Sequence, residues 1–155
     1  MYIDTDYLLD FGFDISDEIS IDKLERSIKT AEQYIIKPRL GYELYADILD
    51  DPTEYETALN GGILTKDDKE YHVAGLKEAE AHLAYGVLLG ENINATTFGT
   101  VKKTDDYSSQ AGIADIRRVS MVNTEIGMAY LKEITDFYGI HNEDKHLPNI
   151  WEELI

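Results

Sequence analysis

The sequence predicts a mainly α-helical fold: an antiparallel helical bundle of about four main helices, with a short β-ribbon or loop inserted between the two longest helices. Apolar residues recur at spacings of three and four along most of the 155 residues, which is the helical period. One segment in the middle of the chain is rich in β-branched and aromatic residues instead. The length fits a single domain, which divides into an N-terminal lead-in 1–19, helices 20–90, a central loop or ribbon 91–109, a long helix 110–138 and a C-terminal tail 139–155.

The first part of the chain is expected to hold three helices. The first should begin near Ser20, and Pro38 should end or kink it, because proline lacks the backbone N–H that a helix needs. A second should run from about Gly41 to Leu49, and a short third from Thr53 to Leu59, where two glycines follow. The apolar stripe of the first helix comprises Ile21, Leu24, Ile28, Ala31 and Ile35, and that of the second Leu40, Leu44, Ile48 and Leu49.

Two longer helices are predicted on either side of the central segment. One should begin at Thr65, a good N-cap residue with Asp68 three positions later, and run to about Leu89. The other should begin at Ser108 or Ser109 and run to about Phe137. Their buried faces are expected to comprise His72, Val73, Leu76, Ala79, Leu83, Gly86 and Val87 in the one, and Ile113, Ile116, Val119, Asn123, Ile126, Tyr130, Ile134 and Phe137 in the other.

The central segment, Asn92 to Ser109, differs from the rest of the chain. Its composition favours extended backbone, and it carries the chain's only adjacent lysine pair. A short isolated β-ribbon leaves backbone groups unpaired, so we expect it to pair with another copy or another protein. The predicted oligomer or tail interface comprises Thr96, Thr97, Phe98, Gly99, Thr100, Val101, Lys102, Lys103 and Tyr107.

The amino-acid composition argues against several classes of binding site and partner. The net charge of −17 would repel phosphate backbones, so sequence-specific nucleic-acid binding is not expected. The chain has no cysteine, which excludes disulfides and cysteine metal sites. No apolar run approaches the length of a membrane span, and the acidic N-terminus lacks the basic region of a secretory signal. We therefore expect a soluble protein made in a cytoplasm, without a membrane partner.

No pattern predicts chemistry. The chain lacks two Glu-x-x-His motifs on facing helices, which a di-iron bundle requires, and it lacks a calcium loop, a nucleophile elbow and a phosphate loop. The acid pairs Asp50-Asp51, Asp67-Asp68 and Asp105-Asp106 are expected at helix starts or turns, where they cap backbone donors. His72 and His82 are expected to be packed or surface residues. We predict no enzyme, no metal and no cofactor.

The C-terminal tail is apolar at its end, where chain termini are usually polar. It needs something to pack on, either its own bundle or a neighbouring molecule, and the sequence leaves both open. The predicted portal or partner interface comprises Leu147, Pro148, Ile150, Trp151, Leu154 and Ile155. Eleven tyrosines also favour contact surfaces, because tyrosine combines a large apolar area with a polar tip.

Two stretches resemble a known family. They are Ala-Glu-Gln-Tyr-Ile-Ile-Lys-Pro-Arg-Leu-Gly-Tyr-Glu-Leu-Tyr at residues 31–45 and Asn-Ala-Thr-Thr-Phe-Gly-Thr-Val-Lys-Lys at residues 94–103. The second is followed by a Tyr-Ser turn and a long helix that ends Ala-Tyr-Leu at residues 129–131. In order and spacing, across about residues 20–138, the chain resembles the head-to-tail connector proteins of tailed phages, which are also called adaptors. The resemblance includes the versions of these proteins in phages and prophages of Bacteroides-like bacteria.

The resemblance implies a structural virion protein that forms a homo-oligomeric ring, commonly a dodecamer, below the portal protein and lines part of the DNA exit channel. It implies that residues 96–103 contact the ring or the tail and stopper proteins, and that residues 147–155 face the portal. Double-stranded DNA would pass through without sequence-specific binding. The lead-in 1–19 has no counterpart in the resemblance.

Other functions remain open. One alternative is another structural component of the phage neck, a tail terminator or stopper. A second alternative is an acidic inhibitor that binds a basic protein by mimicking DNA. A metal-dependent enzyme would require a bound metal.

Overall fold

The computed structural model describes residues 1–91 and 106–141, with side chains described for 1–91 and 112–141. These residues are mainly helical and include a two-stranded antiparallel sheet. The helices are α1 (Thr5–Asp10), α2 (Ile21–Ala31), a π-helical turn (Glu32–Ile36), α3 (Lys37–Leu40), α4 (Tyr42–Asp50), α5 (Glu56–Asn60), α6 (Leu76–Glu91) and α7 (Asp106–Phe137), and the strands are β1 (Gly62–Lys66) and β2 (Lys69–Val73). The mainly α-helical class is confirmed, and the finer expectation of a bundle of about four main helices stays a prediction.

The first long helix continues past Pro38, which was expected to end or kink it. The π-helical turn lies directly before α3, and the Lys37 N–H donates to the carbonyl of Glu32 across this wider turn. Proline cannot donate a backbone hydrogen bond, and a widened turn before it accommodates that loss without a break. The helix ends instead at Gly41, whose φ of 79° is one that residues with a side chain rarely adopt.

Residues 62–73 form a hairpin, so the predicted helix start at Thr65 is wrong. Thr65 lies in β1 opposite Glu70 in β2. Asp67 and Asp68 form the two-residue turn, both with positive φ (52° and 59°), as a tight hairpin of this kind requires. Asp67-Asp68 therefore makes a strand turn rather than a helix start. His72 and Val73 lie in β2, and α6 begins only at Leu76.

α6 is the central helix and packs between α2 and α7. Its contact with α7 is close because glycine lies at the crossing on both sides. A Cβ atom at Gly127 would lie 2.6 Å from Cγ of Leu83 and 2.9 Å from the Ala79 carbonyl oxygen. One turn further along α6, the Ser120 hydroxyl donates a hydrogen bond of 2.7 Å to the Gly86 carbonyl. The predicted inward face of α6 around Ala79, Leu83 and Gly86 is therefore confirmed.

The other predicted apolar stripes hold with three exceptions. Ile21, Leu49 and Val119, expected on buried faces, are exposed, because each lies on the side of its helix that no described element covers.

The hairpin packs against the C-terminal end of α7: the rings of Tyr71 and Phe137 are 5.4 Å apart, and the Ala74 N–H donates to Glu133. The core thus extends along both faces of α6.

Candidate functional site

Two glutamates are buried in the interior of the fold. Glu80, in the second turn of α6, is fully buried, and one of its carboxyl oxygens accepts hydrogen bonds from the backbone N–H groups of Tyr2 and Ile3 at 2.9 and 3.0 Å. Its other oxygen, Oε1, has no hydrogen-bond partner among the described residues. The first residues of the chain are thereby held against the central helix.

The second buried glutamate, Glu32, opens the π-helical turn. The Tyr45 hydroxyl of α4 donates a hydrogen bond to its Oε1, and the α-amino group of Met1 lies 2.6 Å from the same oxygen. The rings of Tyr2 and Tyr45 are 5.8 Å apart and close the cluster on one side. Met1, α4, the π-helical turn and α6 therefore meet at this carboxylate pair.

Burial is the main electrostatic effect in the cluster. It raises the pKa of Glu80 to about 8, with the nearby Glu32 carboxylate adding to the increase, while the Met1 amino group and the two backbone N–H donors oppose it. At neutral pH most Glu80 side chains are therefore protonated. Burial also raises the pKa of Tyr2 and of Tyr45, and the hydrogen bond to Glu32 raises that of Tyr45 further.

The cluster anchors the start of the chain, because its contacts join Met1, Tyr2 and Ile3 to α4, the π-helical turn and α6. Paired carboxylates can perform acid–base chemistry where a substrate reaches them. Three cavities of about 340, 270 and 390 Å³ on the described surface are lined by other residues. Sequence reasoning missed the pair, although a glutamate between two alanines of an apolar helix is a sign of a buried carboxylate.

His82 is a packed histidine, one of the two environments expected for it. Its ring contacts Phe11, Phe13 and Tyr130 edge to face at centroid distances of 5.2–5.7 Å. Its Nδ1 lies 2.8 Å from the side-chain oxygen of the buried Asn123. His72, expected on the buried face of the predicted helix, lies instead on β2 and is exposed, so that expectation is wrong.

The surface around α4 and α5 is strongly acidic. Residues 40–65 contain six carboxylates and no lysine or arginine, and all six are exposed. Two exposed apolar side chains, Tyr42 and Leu49, lie among them. We call this region the acidic surface: Tyr42, Glu43, Asp47, Leu49, Asp50, Asp51, Glu54 and Glu56.

A second exposed surface lies at the middle of α7. Met121 and Val122 are 59% and 46% exposed, and Val119 lies one turn before Val122. The neighbouring Arg117 and Arg118 are the one adjacent pair of basic residues in the described part of the chain, and Arg118 lies 3.8 Å from Asp115. We call these residues the α7 patch: Arg117, Arg118, Val119, Met121 and Val122.

Most of the site residues predicted from sequence lie outside the described residues. This holds for the predicted ring contact at 96–103 and for the predicted portal contact at 147–155. Tyr107 lies in the first turn of α7, but its side chain is not described. The ribbon expected at 91–109 is wrong at its two ends, because Glu91 belongs to α6 and residues 106–109 belong to α7, and between them it lies outside the described residues. Of the acid pair expected at a helix start or turn, Asp106 is the first residue of α7.

Within residues 1–91 and 106–141, no group of three or more His, Asp or Glu side chains is arranged to hold a metal ion. Over the same residues, no helix is both long and apolar enough to cross a membrane.

No curated protein and no solved structure matches the chain. A family model matches residues 36–141, a range that includes α3 to α7 and both surfaces defined above. The chain therefore belongs to the family of unknown function DUF6712.

Proposed function

We propose that the protein is a non-enzymatic structural subunit of the head-to-tail junction of a tailed phage, where copies form a ring below the portal. The observation that carries this proposal is the α7 patch. Met121 and Val122 are large apolar side chains, exposed and adjacent on a long, well-packed helix. Apolar side chains grouped in this way on a rigid element mark surfaces that bind other proteins.

The resemblance to connector proteins decides which assembly we propose. The stretch 31–45, which carries half of it, folds into the π-helical turn, α3 and the start of α4. The second stretch, 94–103, lies outside the described residues. In such a ring each subunit contributes a modest interface, and closure of the ring adds many of them together.

The net charge of the protein is consistent with a position in the wall of a channel through which DNA passes. A net charge of −17 disfavours adhesion to phosphate backbones, so DNA would pass a ring of such subunits without being held. The same charge is compatible with an inhibitor that mimics DNA, but such an inhibitor has no need of an exposed apolar patch on α7.

The test is co-expression with the portal protein encoded by the same genome. The portal should be purified through its own tag and the complex imaged by electron microscopy. We expect a ring of this protein on one end of the portal. Absence of the chain from the purified portal would overturn the proposal, as would binding of a basic DNA-binding protein in place of the portal.

A matched pair of variants makes the test specific for the α7 patch. Met121→Asp with Val122→Asp should abolish the ring, because the charges cannot be desolvated in an interface. Ala129→Asp places one charge on the same exposed side of α7 two turns later and should leave the ring intact. Circular dichroism should show equal helicity in both variants.

A further inference from the structure

We infer that the α7 patch of one copy binds the acidic surface of the next copy, so that the subunits join head to tail. This inference rests on the proposed function and names the contact by which the ring is built. Its first basis is charge: the α7 patch carries two adjacent arginines, whereas the acidic surface carries six carboxylates without a basic residue in the same stretch. Opposite charges at facing surfaces steer association and fix its register.

The second basis is the apolar content of both surfaces. Tyr42 is 73% exposed and Leu49 44% exposed, and both lie among the carboxylates of α4. Val119, Met121 and Val122 lie beside the arginines of α7. Each surface therefore combines an apolar centre with charges around it, which is the usual arrangement of a protein–protein interface.

The third basis is the separation of the two surfaces along α7, since the α7 patch lies at the middle of this helix and the acidic surface lies near its C-terminal end. Glu43 and Asp47 border a cavity of about 390 Å³ together with Tyr138 and Ile140, so α4 lies beside the C-terminal end of α7. From Met121 to Tyr138, a helix rise of 1.5 Å per residue gives a separation of about 25 Å. One copy can therefore use both surfaces at once, each with a different neighbour.

This placement determines the symmetry of the assembly. A contact between two different surfaces is heterologous, and it generates a closed ring when the rotation between neighbours divides a full turn. A two-fold dimer would instead bring the same surface of both copies together. The inferred contact therefore favours a ring over a dimer.

The chain has no cysteine, so engineered cysteines report this contact without background. The test variant carries Asp47→Cys and Val122→Cys together, one on each surface. Oxidation should give a ladder of cross-linked species that ends at the closed ring. A mixture of the two single variants should give dimers and nothing larger, because each copy then has one reactive surface.

The matched control carries Glu70→Cys with Val122→Cys. Glu70 is exposed on β2 and lies outside the acidic surface, so this variant should give no ladder. Equal ladders in the control and the test variant would show random collision and overturn the inference.

Charge reversal gives an independent test. Arg117→Glu with Arg118→Glu should abolish cross-linking through the inferred contact, and so should Asp47→Lys with Asp50→Lys in a variant that carries its cysteines at Asp51 and Val122. Mixing the two charge-reversed proteins should restore association, because each altered surface then meets a complementary one. Lys23→Glu with Lys29→Glu changes the net charge equally on exposed positions of α2 and should have no effect.

Together, the cross-linking and portal-binding experiments distinguish failure of the inferred contact from failure of the proposed function. Portal-bound rings without an Asp47→Cys to Val122→Cys cross-link would overturn the contact and leave the proposed function standing. Cross-linked ladders in a protein that does not bind the portal would support the contact and overturn the adaptor role. A protein that gives neither ladders at millimolar concentration nor portal-bound rings would overturn both.

Discussion

The backbone N–H of Ile3 donates a hydrogen bond of 3.0 Å to the Glu80 side chain, which joins the start of the chain to the second turn of its central helix. The neighbouring N–H of Tyr2 donates to the same oxygen at 2.9 Å. These bonds explain how a carboxyl group is accommodated in the core: two backbone donors satisfy one oxygen, and protonation removes the charge that burial disfavours. The stability that this contact provides depends on whether the Glu80 carboxyl group is protonated, so the stability of the protein should depend on pH.

Glu80 should make the stability of the protein fall as pH rises from about 4.5 to about 8. Its pKa is raised in the folded protein from 4.5 to about 8. Below 4.5 both the folded and the unfolded chain hold the proton, so the full stability is present. Between the two values the unfolded chain loses the proton while the folded chain keeps it, and stability declines by at most about 1.4 kcal/mol per pH unit.

Glu80→Gln should remove this part of the decline, because glutamine accepts the same two backbone bonds and does not titrate. Urea unfolding of the wild type and the variant at pH 5 and pH 8 measures the effect. The stability of the variant relative to the wild type should increase between the two pH values. Glu91→Gln, at the exposed end of the same helix, controls for the loss of a carboxylate. Parallel pH curves for wild type and Glu80→Gln would contradict the assignment.

Tyr45→Phe should destabilise the protein and Tyr2→Phe should not, although the two rings are 5.8 Å apart. The Tyr45 hydroxyl donates to the buried Glu32, whereas the Tyr2 hydroxyl has no partner among the described residues. Loss of a hydrogen bond to a charged group costs about 2 kcal/mol, and removal of an unpaired buried hydroxyl costs nothing or stabilises. Urea titrations at one pH suffice, and similar losses in both variants would refute the assigned hydrogen bond.

Gly127→Val should destabilise the protein by about 3 kcal/mol, because overpacking at a rigid site forces helices apart. The first added carbon alone would lie 2.9 Å from the Ala79 carbonyl oxygen, which belongs to the backbone of α6 and cannot rotate away. Ala129→Val, on the exposed side of the same helix, should change stability by about 0.5 kcal/mol. A small loss at Gly127 would mean that α6 and α7 are less closely packed than described.

The elements that could be predicted from the sequence are those whose apolar residues repeat at a fixed period. The start of α2 and both ends of α4 and α7 were expected close to their observed positions, because each helix buries one stripe against a neighbour. Val119 was misplaced since periodicity identifies an apolar stripe but does not show where the covering helix ends. The helical turn that accommodates Pro38 was missed for a different reason, because the effect of proline depends on the turn before it.

The buried carboxylates and the hairpin were missed because their determinants are not local. Glu80 is satisfied by backbone groups 77 and 78 residues away, a relationship that no spacing in the sequence reveals. In β1 every residue is exposed or half-buried, so the strand lacks the alternation of apolar and polar residues that marks a half-buried strand. Thr65 and Asp68 also have the spacing of a helix cap, which favoured the wrong element.

Two substitutions in the turn of the hairpin should increase the stability of the protein. Asp67 and Asp68 both adopt positive φ, which asparagine and glycine adopt at lower cost than aspartate. The two adjacent carboxylates also repel each other in the turn. Asp67→Asn with Asp68→Gly should therefore raise the free energy of unfolding by about 1 kcal/mol, measured by urea titration. Thr65→Asn with Glu70→Gly changes the paired strand residues instead and should destabilise; a gain there, or a loss in the turn variant, would argue against the hairpin.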